Sequence, residues 1–288
     1  MEKYYRFAGV EVSVCIPDKW MYEDERQLAP FRAAQVKDPH TFHFELVEVL
    51  SPPSGRLEIH LPGMRVYREG EACVRYIGTV EDGWEKAYIR VAREKNESYV
   101  QVTTSEFITN VSVKTILNSM EAEHLVAAVD GFLFHCSYID HNGKAILFTA
   151  PSETGKSTQA ELWHQHRGAE IINGDRAAVR LVDGVLMAEG IPFAGSSQYC
   201  KNRSLPIEAI VYLGQAPETS IRKMRGYEAF SKIWEGVSVN TWDKEDMERV
   251  SHVVQKAADQ VPIFYLPCTP DESAVIALEE ALRKLVKA

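Results

Sequence analysis

The chain has 288 residues, 45% of them hydrophobic and 25% charged, which excludes a fibrous or compositionally disordered protein and gives length for one large domain or two smaller ones. Asp and Glu outnumber Lys and Arg by 41 to 32, and the net charge of −9 disfavours a broad nucleic-acid or anionic-membrane surface, so neither partner is expected. The five cysteines are scattered without a Cys-x-x-Cys pair and predict buried free thiols, not a disulfide framework or a zinc site.

The amino terminus, Met1-Glu-Lys-Tyr-Tyr-Arg, is charged where a secretory signal would be apolar, and no apolar run approaches membrane-spanning length. A cytoplasmic protein is expected. Residues 1–110 read as a β-rich region, with short strands at 10–15, 43–49, 56–61, 73–77, 87–91 and 98–102. Their apolar and charged residues alternate, and Glu81-Asp-Gly83 and Lys95-Asn96 signal hairpins between them. Val113, Ile116, Leu117, Met120, His124 and Leu125 share a helical spacing and predict one connecting helix over 112–128.

The second region, 111–288, continues with a strand at 132–136, a turn at His141-Asn-Gly143 and a strand at 145–149. A helix over 157–166 and a strand at 169–173 follow, and Asp183-Gly184 marks a two-residue hairpin between 177–181 and 185–187. A buried strand at 207–213, helices at about 226–236 and 244–258, a strand at 263–266 and a last helix from Asp271 to Leu285 complete the pattern. Hairpins mixed with helices predict an α/β domain whose sheet is not simply parallel.

Between the strand at 145–149 and the helix lies Ala150-Pro-Ser-Glu-Thr-Gly155-Lys156-Ser157-Thr158, the strand–turn–helix layout of a phosphate-binding loop. In such a loop backbone N–H groups face phosphate oxygens, the helix N-terminus adds partial positive charge, the lysine reaches the β and γ phosphates, and the Ser157 hydroxyl sits on Mg²⁺. Ser152, Glu153, Thr154, Gly155, Lys156, Ser157 and Thr158 are therefore candidate nucleotide-binding residues. Ala150 replaces the usual first glycine, which requires it to keep a negative φ, and Glu153 repels phosphate unless it turns to solvent or a metal.

Such a loop needs an acidic group at the end of a neighbouring strand to hold Mg²⁺, and Asp175, after Glu170-Ile-Ile-Asn-Gly174, is placed for it. The bland alternative is an Asn-Gly-Asp turn. His135, on the strand before the loop, is a candidate for proton handling if strand alternation brings it to the same rim, or else a structural strand histidine. His164 and His166, two apart on a helix, face different ways and suggest no shared metal. The stretch 190–203 is rich in Gly and Ser and then basic, so Lys201 or Arg203 is suited to charge on a transferred phosphoryl group unless the stretch is a plain solvated connection.

The run from His135 through Asp175 resembles the kinase core of HPr kinase/phosphorylase and related HPr-kinase-like proteins, which share a P-loop fold with phosphoenolpyruvate carboxykinase. His135, Gly155-Lys156-Ser157 and Asp175-Arg176 carry the resemblance over roughly the C-terminal half, and Leu266-Pro-Cys-Thr-Pro-Asp271 is similar to the endings of small HPr-kinase-like chains. It implies a mixed-sheet P-loop kinase core over 111–288, preceded by a smaller β-rich domain that binds the acceptor. It also implies ATP and Mg²⁺ as cofactors, phosphoryl transfer to a serine of a small protein or peptide, and assembly into a homo-oligomer. Lys156 would hold ATP, Ser157 and Asp175 would hold the metal, and Asp175 or His135 would receive the serine proton.

The family usually presents two adjacent aspartates where this chain has Gly174-Asp175, and often glycine where it has Glu153. Either Asp175 combines both tasks, or His135 or Glu189 supplies the base, or the protein is a nucleotide sensor or peptide-binding protein with a degenerate site. A carboxykinase is disfavoured by a chain shorter than those enzymes and by no convincing second metal site.

Overall fold

Period-two alternation along the first hundred residues buries one side of each strand. In the strand Glu97–Thr103, Ser98, Val100 and Val102 are buried between more exposed neighbours. The computed structural model describes residues 1–17, 27–81, 84–103, 111–195, 197 and 199–286, and the chain divides into two units, Met1–Glu121 and Ala122–Ala288.

The first unit holds β1 (Glu2–Phe7), β2 (Val10–Cys15), β3 (Arg32–Ala33), β4 (His40–Val47), β5 (Arg56–Leu61), β6 (Met64–Glu69), β7 (Ala72–Glu81), β8 (Trp84–Glu94) and β9 (Glu97–Thr103). They form one nine-stranded sheet in the order β3-β1-β2-β4-β9-β8-β7-β6-β5, mixed because β4 runs parallel to both β2 and β9. Lys95, at φ 52°, turns β8 into β9. Asp82 and Gly83 of the other hairpin signal lie outside the described residues.

The single helix expected over 112–128 is two helices, α1 (Val113–Ser119) and α2 (Ala122–Ala127). Glu121, at φ 45°, breaks the ladder between them. Its buried carboxylate lies 2.9 Å from Arg93 Nε and 3.6 Å from Arg75 Nε, a charge pairing that helical periodicity does not encode.

The second unit continues with β10 (Gly131–His141), β11 (Lys144–Thr149), α3 (Lys156–Arg167), β12 (Glu170–Asn173), β13 (Arg176–Val182), β14 (Val185–Glu189) and β15 (Ser204–Gln215). Then come β16 (Arg222–Met224), α4 (Gly226–Trp234), β17 (Val237–Ser238), α5 (Lys244–Gln260), β18 (Ile263–Cys268) and α6 (Glu272–Val286). Its nine strands form a second mixed sheet in which β11, β15 and β18 run parallel while β10, β13 and β14 pair antiparallel. Asn142-Gly143 and Asp183-Gly184 make the hairpin turns with positive φ at both residues, which Asn, Asp and Gly tolerate best.

Continuous apolar runs become strands buried on both faces. Along β11, Ala145 and Leu147 join α4 and α5 in one core, and Ile146 and Phe148 join α3 and α6 in the other. Trp163 of α3, fully buried in that second core, anchors the helix that follows the glycine-lysine turn. Among the described residues no helix is long and apolar enough to cross a membrane. Trp163→Ala is expected to lower the unfolding free energy of this unit by about 3–5 kcal/mol in chemical denaturation. A loss below about 1 kcal/mol would mean that α3 is held by something other than this core.

Candidate functional site

The strand β11 ends at Thr149, and seven residues later α3 begins without a side-chain cap on its first turn from any described residue. Gly155 occupies the N-cap at φ 114°, a conformation rarely open to other residues, so the first amides of the helix are left directed outward. Ala150 keeps a negative φ, as the missing first glycine requires. Glu153 sits at φ 62°, the left-handed region that favours glycine, and its side chain is exposed.

Lys156 is 8% exposed, and its ammonium donates to the carbonyls of Ala150 at 3.1 Å and Pro151 at 3.3 Å. Burial pulls its pKa down, and the nearby Asp175 charge opposes that shift. The Ser157 hydroxyl donates to the Gly174 carbonyl at 3.5 Å, bringing the head of α3 to the end of β12.

Strand pairing brings His135 and Asp175 to the same place. His135 is in register with Arg176, and its Nε2 lies 3.6 Å from Asp175 Oδ1. Asp175 Oδ2 accepts from Arg176 Nε at 3.2 Å. The His135 contact is the main cause that lowers the Asp175 pKa, burial works against it, and the Arg176 charge adds to the lowering. Asp175 is thereby held as a carboxylate. His135, Ser152, Glu153, Lys156, Ser157 and Asp175 line one cleft of about 380 Å³.

Thr154 donates its amide to Pro151, and Thr158 is exposed on α3; neither lines this cleft. Arg203 is not among the residues that line this cleft. It is bound to Asp140 at 3.0 Å, five residues along β10 from His135, roughly 16 Å away at strand rise. Lys201 is likewise taken by Glu170 at 2.8 Å, and Glu189 by Arg180 at 3.0 Å and Ser204 at 3.1 Å. His164 bonds the Ala169 carbonyl at 2.9 Å, whereas His166 faces Glu272 at 3.6 Å, consistent with two different helix faces.

The stretch after β14 contributes Ser197 and Tyr199 to the cleft instead of its basic residues. A Cβ on Gly174 would stand 2.4 Å from Ser197 Oγ and 3.0 Å from its Cβ, so a side chain beside Asp175 would require Ser197 to shift. Sequence reasoning also passed over Asn173, whose triplet reads as a turn. A further group of possible metal ligands, His124, Asp243 and Asp246, is engaged internally: His124 Nδ1 lies 3.0 Å from Asp246 Oδ1, and Asp243 caps α5.

No family model matches the chain, and no curated protein matches it. Among solved structures, the Hpr(Ser) kinase/phosphatase from Coxiella burnetii is similar at a TM-score of 0.33 and 12% identity, over 53% of this chain and 88% of that one. That likeness is weak, and the functional reading rests on the geometry of the cleft.

Gly174→Asp is expected to destabilise the protein by about 1–3 kcal/mol through the collision with Ser197, and Ser197→Gly in the same chain to restore part of the loss; thermal melts check both. The depressed Asp175 pKa carries a pH signature. Its contacts stabilise the folded unit above the ordinary value of 3.8 and are lost as pH falls through the lower folded-state value. Melting temperatures of Asp175→Asn and the parent chain should therefore differ most above that value and converge in stronger acid.

Proposed function

We propose that the second unit is an ATP- and Mg²⁺-dependent kinase that transfers the γ-phosphoryl group to a serine or threonine hydroxyl of a small protein or peptide. The observation that carries this reading is the convergence of the α3 N-terminus, Lys156 and Ser157 with the His135–Asp175 pair in one cleft. Outward amides and the helix dipole favour phosphate, and Lys156 is the adjoining cation. The Ser157 hydroxyl and the ionised Asp175 carboxylate are hard oxygen donors, the chemistry that suits Mg²⁺. When bound, that ion would offset charge on the phosphoryl oxygens.

Asp175, with its lowered pKa, is a better metal ligand than proton acceptor. The serine proton is assigned to His135, whose Nε2 lies 3.6 Å from Asp175 Oδ1. The β-rich first unit is proposed to recognise the acceptor. A second reading, a nucleotide sensor with a degenerate site, draws on the lone carboxylate at the strand end, where Ser197 fills the place of another.

Lys156→Ala should reduce transfer of labelled γ-phosphate to serine-containing acceptor peptides by about 100-fold or more. Unchanged transfer would sink the kinase reading. Tight Mg-ATP binding in calorimetry, lost in Lys156→Ala and accompanied by no transfer to any acceptor, would select the sensor.

A further inference from the structure

Asn173 is fully buried, and its one side-chain amide serves two segments of the cleft wall. Its Oδ1 accepts from the backbone amides of Asp175 at 2.9 Å and Arg176 at 3.0 Å, closing the turn that aims the Asp175 carboxylate. Its Nδ2 donates to the carbonyls of Ile191 at 3.3 Å and Phe193 at 3.2 Å, at the start of the stretch that carries Ser197 and Tyr199. The bonding fixes the amide's sense, because a flipped amide would set oxygen against two carbonyls and nitrogen against two N–H groups.

The neighbouring backbone leaves little slack. Asn173 also bridges to Cys200, and the Lys201 amide donates to the Ile172 carbonyl at 3.1 Å, so the returning chain runs beside β12. A Cβ on Gly195 would approach the Asp175 carboxylate to 2.8 Å, so that stretch packs directly on the group that Asn173 aims.

We infer that Asn173 is a positioning residue: its amide sets the Asp175 carboxylate for the metal and locks the backbone at Ile191 and Phe193 beside it. The inference rests on the kinase reading for its rate measurement and on Mn²⁺ binding otherwise. It predicts an effect confined to the metal and the transfer step, because Lys156 and the outward amides belong to the β11–α3 turn and owe nothing to Asn173.

The test compares Asn173→Ala and Asn173→Ser with the parent in the full chain. Mn²⁺ affinity in the presence of ATP is measured by electron paramagnetic resonance, and nucleotide affinity, kcat and KM are measured alongside thermal melts. Asn173→Ala should weaken Mn²⁺ about tenfold and lower kcat by about 10–100-fold, with KM for ATP nearly unchanged. Asn173→Ser, which keeps a side-chain acceptor for the Asp175 amide, should recover part of both. If Asn173→Ala does not fold, Asn173→Ser is compared with the parent directly and should show a smaller loss of the same kind.

Mn²⁺ affinity and kcat equal to the parent's in a folded variant would overturn the inference. So would the failure of both variants to fold, or a parent chain that binds no Mn-ATP. If the parent binds Mn-ATP without transferring phosphate, the kinase reading fails while weakened Mn²⁺ in the variants still supports the role of Asn173. Transfer that depends on Lys156 but ignores Asn173 keeps the kinase and removes this inference.

Discussion

The cleft depends on β10 being paired along both edges. Cys136 faces Thr149 across one edge, which fixes where β11 ends and the glycine-lysine turn begins. Across the other edge Tyr138 faces Asn173 and His135 faces Arg176, which fixes where Asp175 stands. Two strands flanking a third lie roughly 10 Å apart, so the turn and the carboxylate end up on opposite sides of a gap that the head of α3 spans through Ser157. A one-residue slip on either edge would turn His135 to the other face of the sheet and dissolve the site without altering any motif.

The electrostatics of the cleft are set by few groups. Burial alone would disfavour a charged Lys156, and Asp175 offsets part of that cost, while His135 and Arg176 hold Asp175 ionised. Glu153 also lines the cleft, with its side chain exposed to solvent that screens its charge. Its backbone nevertheless bears a left-handed conformation that costs a non-glycine residue about 1–2 kcal/mol. The turn thus keeps its shape at a small local cost.

Local signals were legible in the sequence because their cause is local. Gly155-Lys156-Ser157 before a helix, Asn142-Gly143 and Asp183-Gly184 all state a backbone conformation that few other residues adopt. The apolar runs at 145–149 and 207–213 gave their strands for the same reason, since both faces of each are buried. Pairing decided over long separations was not legible. Arg203 is claimed by Asp140, 63 residues away, and Asn173 by carbonyls 18 and 20 residues on. The break at Glu121 is not legible because apolar periodicity runs on through it while two arginines hold its carboxylate.

The missing second aspartate follows from the same packing. Gly174 lies under Ser197, Gly195 lies over the Asp175 carboxylate, and Asn173 ties both segments, so a side chain at Gly174 would require Ser197 to shift. A lone carboxylate held ionised by a histidine and an arginine suits a cation better than a proton. The proposed kinase would then leave the serine proton to His135, 3.6 Å from that carboxylate.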